Sequence, residues 1–458
     1  MRLGFRLKRS NLTEGVIWKQ LLLFALPLLL TNFLQQLYNA ADLLIVGRYA
    51  GKEAMAGVGA TGSVSMMLIG LFMGLATGVS VLVAQFYGGE DYDSLYHTVH
   101  TAHAVALASG LLLTVAGWFL APTLLELMQT PEDIMQGATA YMRLFFLGII
   151  PLLIYNMGAG ILRATGDSQR PFIFLLISAT GNIIFDFIFV KYWNWGIKGA
   201  AWATVLSQTI AALAVIVTLV RSDEPFRLFL RDIRINFDFL QRILAVGLPA
   251  GMQSVVISLS NVLIQSKINS FGSDAIAGIA AAGRIDGFIF TGLQAISLAA
   301  TTFAGQNLGA GLYRRLKQGA KSAVALVSGI AFVLSAMVLT FRHQLIGVFN
   351  SDPNVQYYGL RMMLFLASTY WVFGISDVLA GFVRGTGKSL PPMIIALVSM
   401  CGLRILWLYI ALPLWDSIDV IILSYPISWS VTLIANFIYF KFGKWLPKEV
   451  QKVSEMEL

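Results

Sequence analysis

Two carboxylates stand inside long apolar stretches of this sequence. Asp186 is the one charged residue of the run 172–190, and Asp42 lies near the end of the apolar stretch that contains Pro27. An ionisable side chain in the middle of a membrane span costs on the order of 2.5–3.5 kcal/mol on insertion scales. Side chains placed at that cost are candidates for function.

Polar residues at helical spacing accompany both acids. Asn182 precedes Asp186 by four residues and shares its helix face, and Tyr38 lies one turn before Asp42. Two buried carboxylates can share a proton, or a small cation with oxygen ligands can neutralise them. Asn182 and Thr204 would complete an oxygen cage for Na⁺. The alternative is a structural ion pair or an interfacial position, and it is stronger for Asp42 than for Asp186.

Membrane-spanning helices are the elements expected to carry these acids. Apolar residues make up 57% of the 458 residues and charged residues 12%, against about a quarter charged in soluble domains. A run of about 20 apolar residues crosses the hydrocarbon core as a helix, and the alternation of a barrel strand is missing. Twelve spans are predicted, at roughly 16–45, 54–86, 96–120, 138–162, 171–192, 198–220, 240–268, 276–304, 318–341, 357–382, 392–414 and 418–440.

Basic residues orient the predicted spans. Most of the 32 Lys and Arg residues fall in segments that share one side of the membrane when the N-terminus is inside. The positive-inside rule then places both termini in the cytoplasm of a multi-pass cell-membrane protein. The same bias accounts for the net charge of +8, so the charge requires no nucleic-acid partner. The bilayer is the expected partner, and we expect a monomer.

The two halves of the chain resemble each other at a fixed offset of 221 residues. Arg163-Ala-Thr-Gly recurs as Arg384-Gly-Thr-Gly. Other pairs in this register are Pro171 with Pro392, Ala56-Gly57 with Ala277-Gly278, and Gln85 with Gln306. The predicted fold is therefore an all-α membrane protein with two six-helix lobes, related by a pseudo-two-fold axis along the membrane normal. The predicted limits are 1–220 for the first lobe, 221–239 for a linker, 240–441 for the second lobe and 442–458 for a tail.

The acidic pair is not repeated. The offset places Leu403 opposite Asn182, Trp407 opposite Asp186, and Leu263 or Ile264 opposite Asp42. The scaffold is thus common to both halves, whereas the acids belong to the first half alone. This asymmetry indicates a role other than packing within the repeat.

The second half has charges of its own at Arg284, Asp286, Asp377 and Arg404. Arg284 and Asp377 are candidates for a substrate cavity. The alternative is a simple buried ion pair of Arg284 with Asp286 or Asp377.

Three histidines, His97, His100 and His103, follow one another at intervals of three residues near the inner end of the third span. A metal site there is one hypothesis, and an interfacial position is the favoured one. The sequence has no phosphate-binding Gly-Lys loop and no nucleophile–base constellation. We therefore expect neither an ATP-driven pump nor an enzyme, and no cofactor other than Na⁺ or H⁺ as a coupling ion.

Taken together, these residues resemble the multidrug and toxic compound extrusion (MATE) family over essentially the whole chain. The likeness rests on Pro27 and Asp42 in the first span, Gly181-Asn182 with Asp186 in the fifth, the Arg-x-x-Gly turns at Arg163 and Arg384, and Gln-x-x-Gly at Gln85. The resemblance implies export of organic cations and amphipathic drugs by Na⁺ or H⁺ antiport.

The resemblance also assigns roles to particular residues. It implies a coupling site at Asp42, Asn182, Asp186 and Thr204, with Gln35, Tyr38 and Asn156 around it and Asp377 as an acid of the tenth helix. One departure concerns the seventh helix, where the segment 253–260 lacks the glutamate of branches with a second-lobe ion site. This departure favours the first lobe as the ion site.

Two other functions compete with antiport. A flippase for lipid-linked precursors belongs to the same superfamily, but such proteins often have extra helices or a strongly basic cavity. A channel or a sensor is the other class, and the internal repeat with its asymmetric acids speaks against it.

Overall fold

The computed structural model describes residues 11–446, and fifteen α-helical segments make up most of this range. The predicted basic N-terminal residues before position 11 and the tail beyond 446 lie outside it. The helices are α1 (Ile17–Tyr49), α2 (Lys52–Gly88), α3 (Tyr92–Leu127), α4 (Glu132–Leu147), α5 (Ile149–Ala164), α6 (Gln169–Asp186), α7 (Gly196–Val220), α8 (Phe237–Asn269), α9 (Ser273–Gly309), α10 (Tyr313–Gly347), α11 (Pro353–Ala367), α12 (Tyr370–Gly385), α13 (Leu390–Ala396), α14 (Arg404–Ala411) and α15 (Ile418–Phe442). No strand occurs among the described residues, so the all-α prediction is confirmed.

The membrane spans agree closely with those predicted. Ten helices within 11–446 are long and apolar enough to cross a membrane, and two bent helix pairs raise the number to twelve. The predicted fourth and tenth spans, 138–162 and 357–382, are the two that are not continuous. The α4–α5 pair is bent by 42° and the α11–α12 pair by 49°.

Local chemistry accounts for both bends. Between α4 and α5, Pro151 has no N–H to donate to the preceding turn, and Gly148 occupies the break. Between α11 and α12, the hydroxyls of Ser368 and Thr369 donate to the carbonyl of Phe365. Side-chain hydroxyls that bond to carbonyls in this way compete with the helical pattern and bend helices.

Two helices widen into π-helical turns. α6 continues after Asp186 as a π-helix over Phe187–Tyr192, and α13 passes into α14 through a π-helix at Leu397–Leu403. Single π-turns within α-helices occur frequently at functional sites. The one that follows α6 begins directly after a buried acid.

The chain forms two compact units. One contains Leu26–Leu248, and the other contains Asn11–Ala25 together with the chain from Pro249. The helices α1 and α8 are therefore each divided between the units beside a proline, at Pro27 and Pro249. The domain limits drawn from the repeat stay a prediction.

Each unit is built on close helix packing. In the first, residues of α2, α3, α5 and α7 share one core, which also includes Phe226 and Leu228 of the segment between α7 and α8. In the second, α9 packs closely on α11, where a Cβ on Gly278 would lie 2.3 Å from the Val355 carbonyl oxygen. Small residues let helix backbones approach in this way.

Candidate functional site

The two acids of the first unit lie together although 144 positions separate them in the sequence. Asp42 on α1 is 8% exposed and Asp186, the last residue of α6, is fully buried. Their carboxyl groups are within hydrogen-bonding reach of each other. Two carboxylates this close repel each other strongly when both are ionised. The pair can therefore hold a shared proton or a small cation between its oxygens.

Asn182 and Thr204 join the acids from α6 and α7. With its amide nitrogen facing Asp186, Asn182 donates to Oδ2 of Asp186 at 3.0 Å, and its oxygen accepts from the Thr204 backbone N–H at 3.3 Å. The spacing of four residues on α6 places Asn182 and Asp186 on one face, and α7 packs along that face. The structure thus brings together the four residues predicted to form a coupling site.

Tyrosines and a glutamine extend this group. The Tyr38 hydroxyl, one turn before Asp42 on α1, faces the side chains of Thr204 and Gln208. Tyr141 on α4 is buried beside Asp42 and Tyr38. Sequence reasoning missed Gln208 and Tyr141. The spacing from Thr204 to Gln208 is four residues, which could have revealed Gln208, whereas nothing local marks Tyr141.

Four buried oxygens of this group accept no hydrogen bond: Asp42 Oδ1, Asp186 Oδ1, Thr204 Oγ1 and Gln208 Oε1. We call Asp42, Asn182, Asp186, Thr204 and Gln208 the oxygen cluster. A buried polar atom without a partner costs about 1–3 kcal/mol. Oxygen ligands of this kind suit hard cations. Among the described residues no group of three or more His, Cys, Asp and Glu forms a metal site, so a cation here depends on two acids and neutral oxygens.

Two predicted cavity residues of the first unit lie apart from the oxygen cluster's hydrogen bonds. Gln35 on α1 is exposed. Asn156 on α5 donates to the Leu152 carbonyl of its own helix at 2.8 Å. A part in substrate binding for these side chains stays a prediction.

The charges of the second unit are paired in a way that the sequence did not indicate. Asp377 is paired with Arg384 at 3.3 Å, and Arg384 also donates to Gln253 at 3.3 Å. Asp286, 2% exposed, accepts from the hydroxyl of Tyr370. Arg284 is exposed and pairs with neither acid, so the predicted ion pair of Arg284 is wrong. The nearest acid to its guanidinium in sequence, Asp286, points to a tyrosine instead.

Arg404 lies in the core of the second unit rather than in a charged pair. It is 3% exposed, donates from Nε to the Ser428 hydroxyl at 2.8 Å, and lies over the Tyr425 ring at 4.5 Å. A cation held by a ring face and a hydroxyl is stabilised without a carboxylate. These contacts join Arg404 to α15 and stabilise the packing of that helix.

Two of the three histidines of α3 are buried within the protein. His100 and His103 are each 2% exposed, and their Nδ1 atoms bond to the carbonyls of Tyr96 and Val99, at 2.7 and 2.9 Å. Their depth in the membrane stays a prediction, since burial within the protein does not define it. Their orientation follows from hydrogen bonds to the preceding turn of their own helix.

The fold and the oxygen cluster define a polytopic α-helical membrane protein with an acidic pair buried in one of two repeated units. A family model, MatE, matches residues 27–188 and 249–410, one segment in each half. The chain belongs to the MatE family.

Curated relatives and solved structures agree with this assignment. The chain is 30% identical to the probable multidrug resistance protein YpnP of Bacillus subtilis (strain 168), covering 96% of this chain and 98% of that protein. It is 27% identical to the probable multidrug resistance protein YoeA of the same organism, covering 96% of each. The structure described as MATE in the bent conformation has a TM-score of 0.90 at 22% identity and covers 98% of this chain and 99% of that one. The likeness to that structure supports the fold.

Proposed function

We propose that this protein is a secondary active multidrug exporter, which moves organic cations and amphipathic drugs across the cell membrane by antiport against Na⁺ or H⁺. The observation that carries the proposal is the Asp42–Asp186 pair. Two curated relatives named probable multidrug resistance proteins support the choice of substrates. The acids support coupling to a cation.

Antiport requires an ion site whose occupancy changes the conformation of the protein. The oxygen cluster joins α1, α6 and α7, and α1 contains Pro27. A cation bound by Asp42 on α1 and Asp186 on α6 draws these helices together, and its loss restores repulsion between the carboxylates. Occupancy of the cluster therefore biases the position of α1, which is the differential interaction that an alternating-access cycle needs.

The number of unpartnered oxygens favours Na⁺ over H⁺. A proton shared by Asp42 and Asp186 is held by one pair of carboxylate oxygens and is not bound by Thr204 or Gln208. A sodium ion is coordinated by several oxygens at once, so it would stabilise all of them together. This argument gives Gln208 a role as a neutral ligand.

The remaining predicted residues are proposed to contact substrate. Tyr38 faces the oxygen cluster. We propose that ion binding changes the position of its side chain and thereby the affinity for the drug. We propose that drugs contact Gln35 and Asn156 in the first unit, and Arg284 and Asp377 in the second. We further propose a monomer embedded in the bilayer with both termini in the cytoplasm.

Transport in proteoliposomes tests the proposal. Efflux of a fluorescent organic cation is measured with a Na⁺ gradient alone, and then with a proton gradient alone. We expect the Na⁺ gradient to drive accumulation of the drug against its own gradient. Uphill transport with a proton gradient alone, and none with Na⁺, would overturn the choice of Na⁺. Uphill transport with neither gradient would overturn antiport itself.

A further inference from the structure

The segment between α7 and α8 is hydrogen-bonded to three side chains in successive turns of α3. The Tyr96 hydroxyl donates to Asp232 at 2.7 Å. The Phe229 backbone N–H donates to Nε2 of His100 at 3.1 Å, and the Asn236 backbone N–H donates to the Thr101 hydroxyl at 3.2 Å. We call these three contacts the linker clasp. All of them lie within the first unit.

The middle contact of the linker clasp fixes the protonation state of His100. Nδ1 faces the Tyr96 carbonyl oxygen at 2.7 Å, which accepts, so Nδ1 must be the nitrogen with the proton. Nε2 must then be the acceptor, because the Phe229 N–H points at it. Both bonds form together only in the neutral ring. A proton on Nε2 would place two donors against each other.

The ring of His100 also contributes through stacking. It lies parallel to the Phe229 ring, with centroids 6.2 Å apart and planes 11° apart, and His100 itself is 2% exposed. Phe226 and Leu228, just before Phe229, are buried in the core of the unit. Release of the clasp would thus begin at Phe229 and spread towards α8, away from this apolar anchor.

In the second unit, the corresponding segment is held by side chains that do not change charge between pH 5 and 8. The repeat offset relates segment 232–236 to segment 11–15, which precedes α1. Arg315 of α10 donates to the carbonyls of Leu12, Glu14 and Gly15, at 3.3, 2.6 and 2.8 Å, and Asn307 donates to Leu12 at 3.2 Å. Arg and Asn keep their charge states at all physiological pH values. The segment before the first helix of each half is therefore held by hydrogen bonds, with a titratable histidine in one half and without one in the other.

We propose that His100 makes the linker clasp a pH-operated attachment: the neutral ring holds the segment that leads into α8, and protonation releases it. Attachment is present while the ring is neutral and is lost as the pH falls. His is the side chain whose ordinary charge change falls between pH 5 and 8. Acidification on the side where this segment lies would then loosen the start of α8, which passes from one unit to the other.

The charged and titratable groups around His100 are few. On α3 itself they are Tyr96, His97 and His103, and from the linker they are Asp232 and Arg227. His97 is paired with Asp93 at 3.9 Å, and Arg227 lies over the Phe229 ring at 5.0 Å. Among the described residues, His100 alone accepts a hydrogen bond from the linker backbone through a ring nitrogen, so its protonation breaks a contact.

Distance measurements between spin labels test this proposal on the full chain. Tyr92→Cys and Arg231→Cys introduce labelling sites at exposed positions of α3 and the linker in a Cys401→Ser background. Double electron–electron resonance is recorded at about pH 8 and about pH 5, the range in which His changes charge. We expect one narrow distance at the higher pH and a broad, longer distribution at the lower.

Two variants isolate His100 from its neighbours. His100→Gln keeps a neutral acceptor for the Phe229 N–H, so we expect a narrow distance at both pH values. His103→Gln is the matched control, because His103 bonds to Val99 of its own helix and to no linker residue, and it should respond as the parent chain does. A parent chain whose distance stays narrow at the lower pH, or a His100→Gln chain that broadens like the parent, would overturn the proposal.

Discussion

The two repeated units have the same helical scaffold and different chemistry at corresponding positions. In the first unit, Asn182 donates to Oδ2 of Asp186, while Oδ1 of Asp186 and Oδ1 of Asp42 accept no hydrogen bond. At the corresponding places of the second unit stand Trp407 and Leu403. The Trp407 indole donates to the Val420 carbonyl at 2.8 Å, so its polar atom is satisfied.

This difference shows what a duplicated membrane scaffold can do. Helix packing constrains both copies. In the second copy the corresponding side chains are apolar or have their polar atom hydrogen-bonded. At these positions the first copy has buried polar atoms without partners, which is costly in lipid. In the second copy, Asp286 Oδ2 lacks a partner at a different place, so the two copies differ in where such atoms lie.

The largest effect should come from removal of either acid of the oxygen cluster. Asp42→Asn or Asp186→Asn leaves a single carboxylate, which can neither share a proton nor supply two charges to a cation. We expect ion-driven drug efflux in proteoliposomes to fall to background while the protein still inserts. Asp416→Asn, which changes an exposed acid of the second unit, is the control and should transport normally. Coupled efflux at the parental rate in both variants would refute the mechanism.

A smaller effect should follow from loss of the neutral ligand. Gln208→Leu removes one oxygen from the cluster, which we expect to raise the Na⁺ concentration for half-maximal efflux about 10-fold, equivalent to 1.4 kcal/mol. Thr209→Val is the matched control on the same helix, since Thr209 donates to Val205 of its own helix. An unchanged Na⁺ dependence in Gln208→Leu would exclude Gln208 as a ligand.

The partly exposed ion pair of the second unit should matter less. Breaking the Asp377–Arg384 pair by Asp377→Asn costs about 0.2–1 kcal/mol. We expect the drug concentration for half-maximal efflux to rise by roughly 1.4- to 5-fold, with the ratio of ions to drug unchanged. That ratio is measured from matched ion and drug fluxes. A changed ratio would mean that coupling is not confined to the first unit.

The smallest effect on transport is expected at two glycines related by the repeat, where substitution changes stability instead. A Cβ on Gly278 would meet the Val355 carbonyl at 2.3 Å, whereas a Cβ on Gly57 would meet the end of the Ile197 side chain at 2.8 Å. Side chains can rotate and backbone cannot, so Gly278→Ala should cost about 1–3 kcal/mol and Gly57→Ala less. Thermal unfolding in detergent should show a lower midpoint for Gly278→Ala. Equal midpoints would show that both copies relax equally.

Much of the fold could be predicted because its signal is local. Hydrophobic length determines a span, and the predicted spans correspond to the helices of the structure within a few residues at most ends. The bends at Gly148 and Ser368 were missed, because a break within an apolar run leaves the composition unchanged. The π-helical turn after Asp186 was missed for the same reason.

The site could be predicted only in part. Spacing grouped Asn182 with Asp186, the apolar surroundings marked Asp42, and Thr204 was added as a further oxygen ligand; the family resemblance implied the same four residues. The partner of Asp377 was not found, because Arg384 lies seven residues away on α12 and an ion pair depends on side-chain direction. The burial of His100 within the protein was not predicted, since the segment that covers it begins more than 120 residues later in the chain.

The sequence by itself determined that the chain is an all-α, two-part membrane protein with costly acids in its first half. Length, apolarity and the offset of 221 are properties of the chain that need no neighbours. Only the tertiary structure decided which oxygens lie together in the buried site, which arginines have carboxylate partners, and which histidine is hydrogen-bonded to the linker. Those outcomes depend on the packing of separate helices, since a buried polar atom is satisfied or left without a partner by residues distant in sequence.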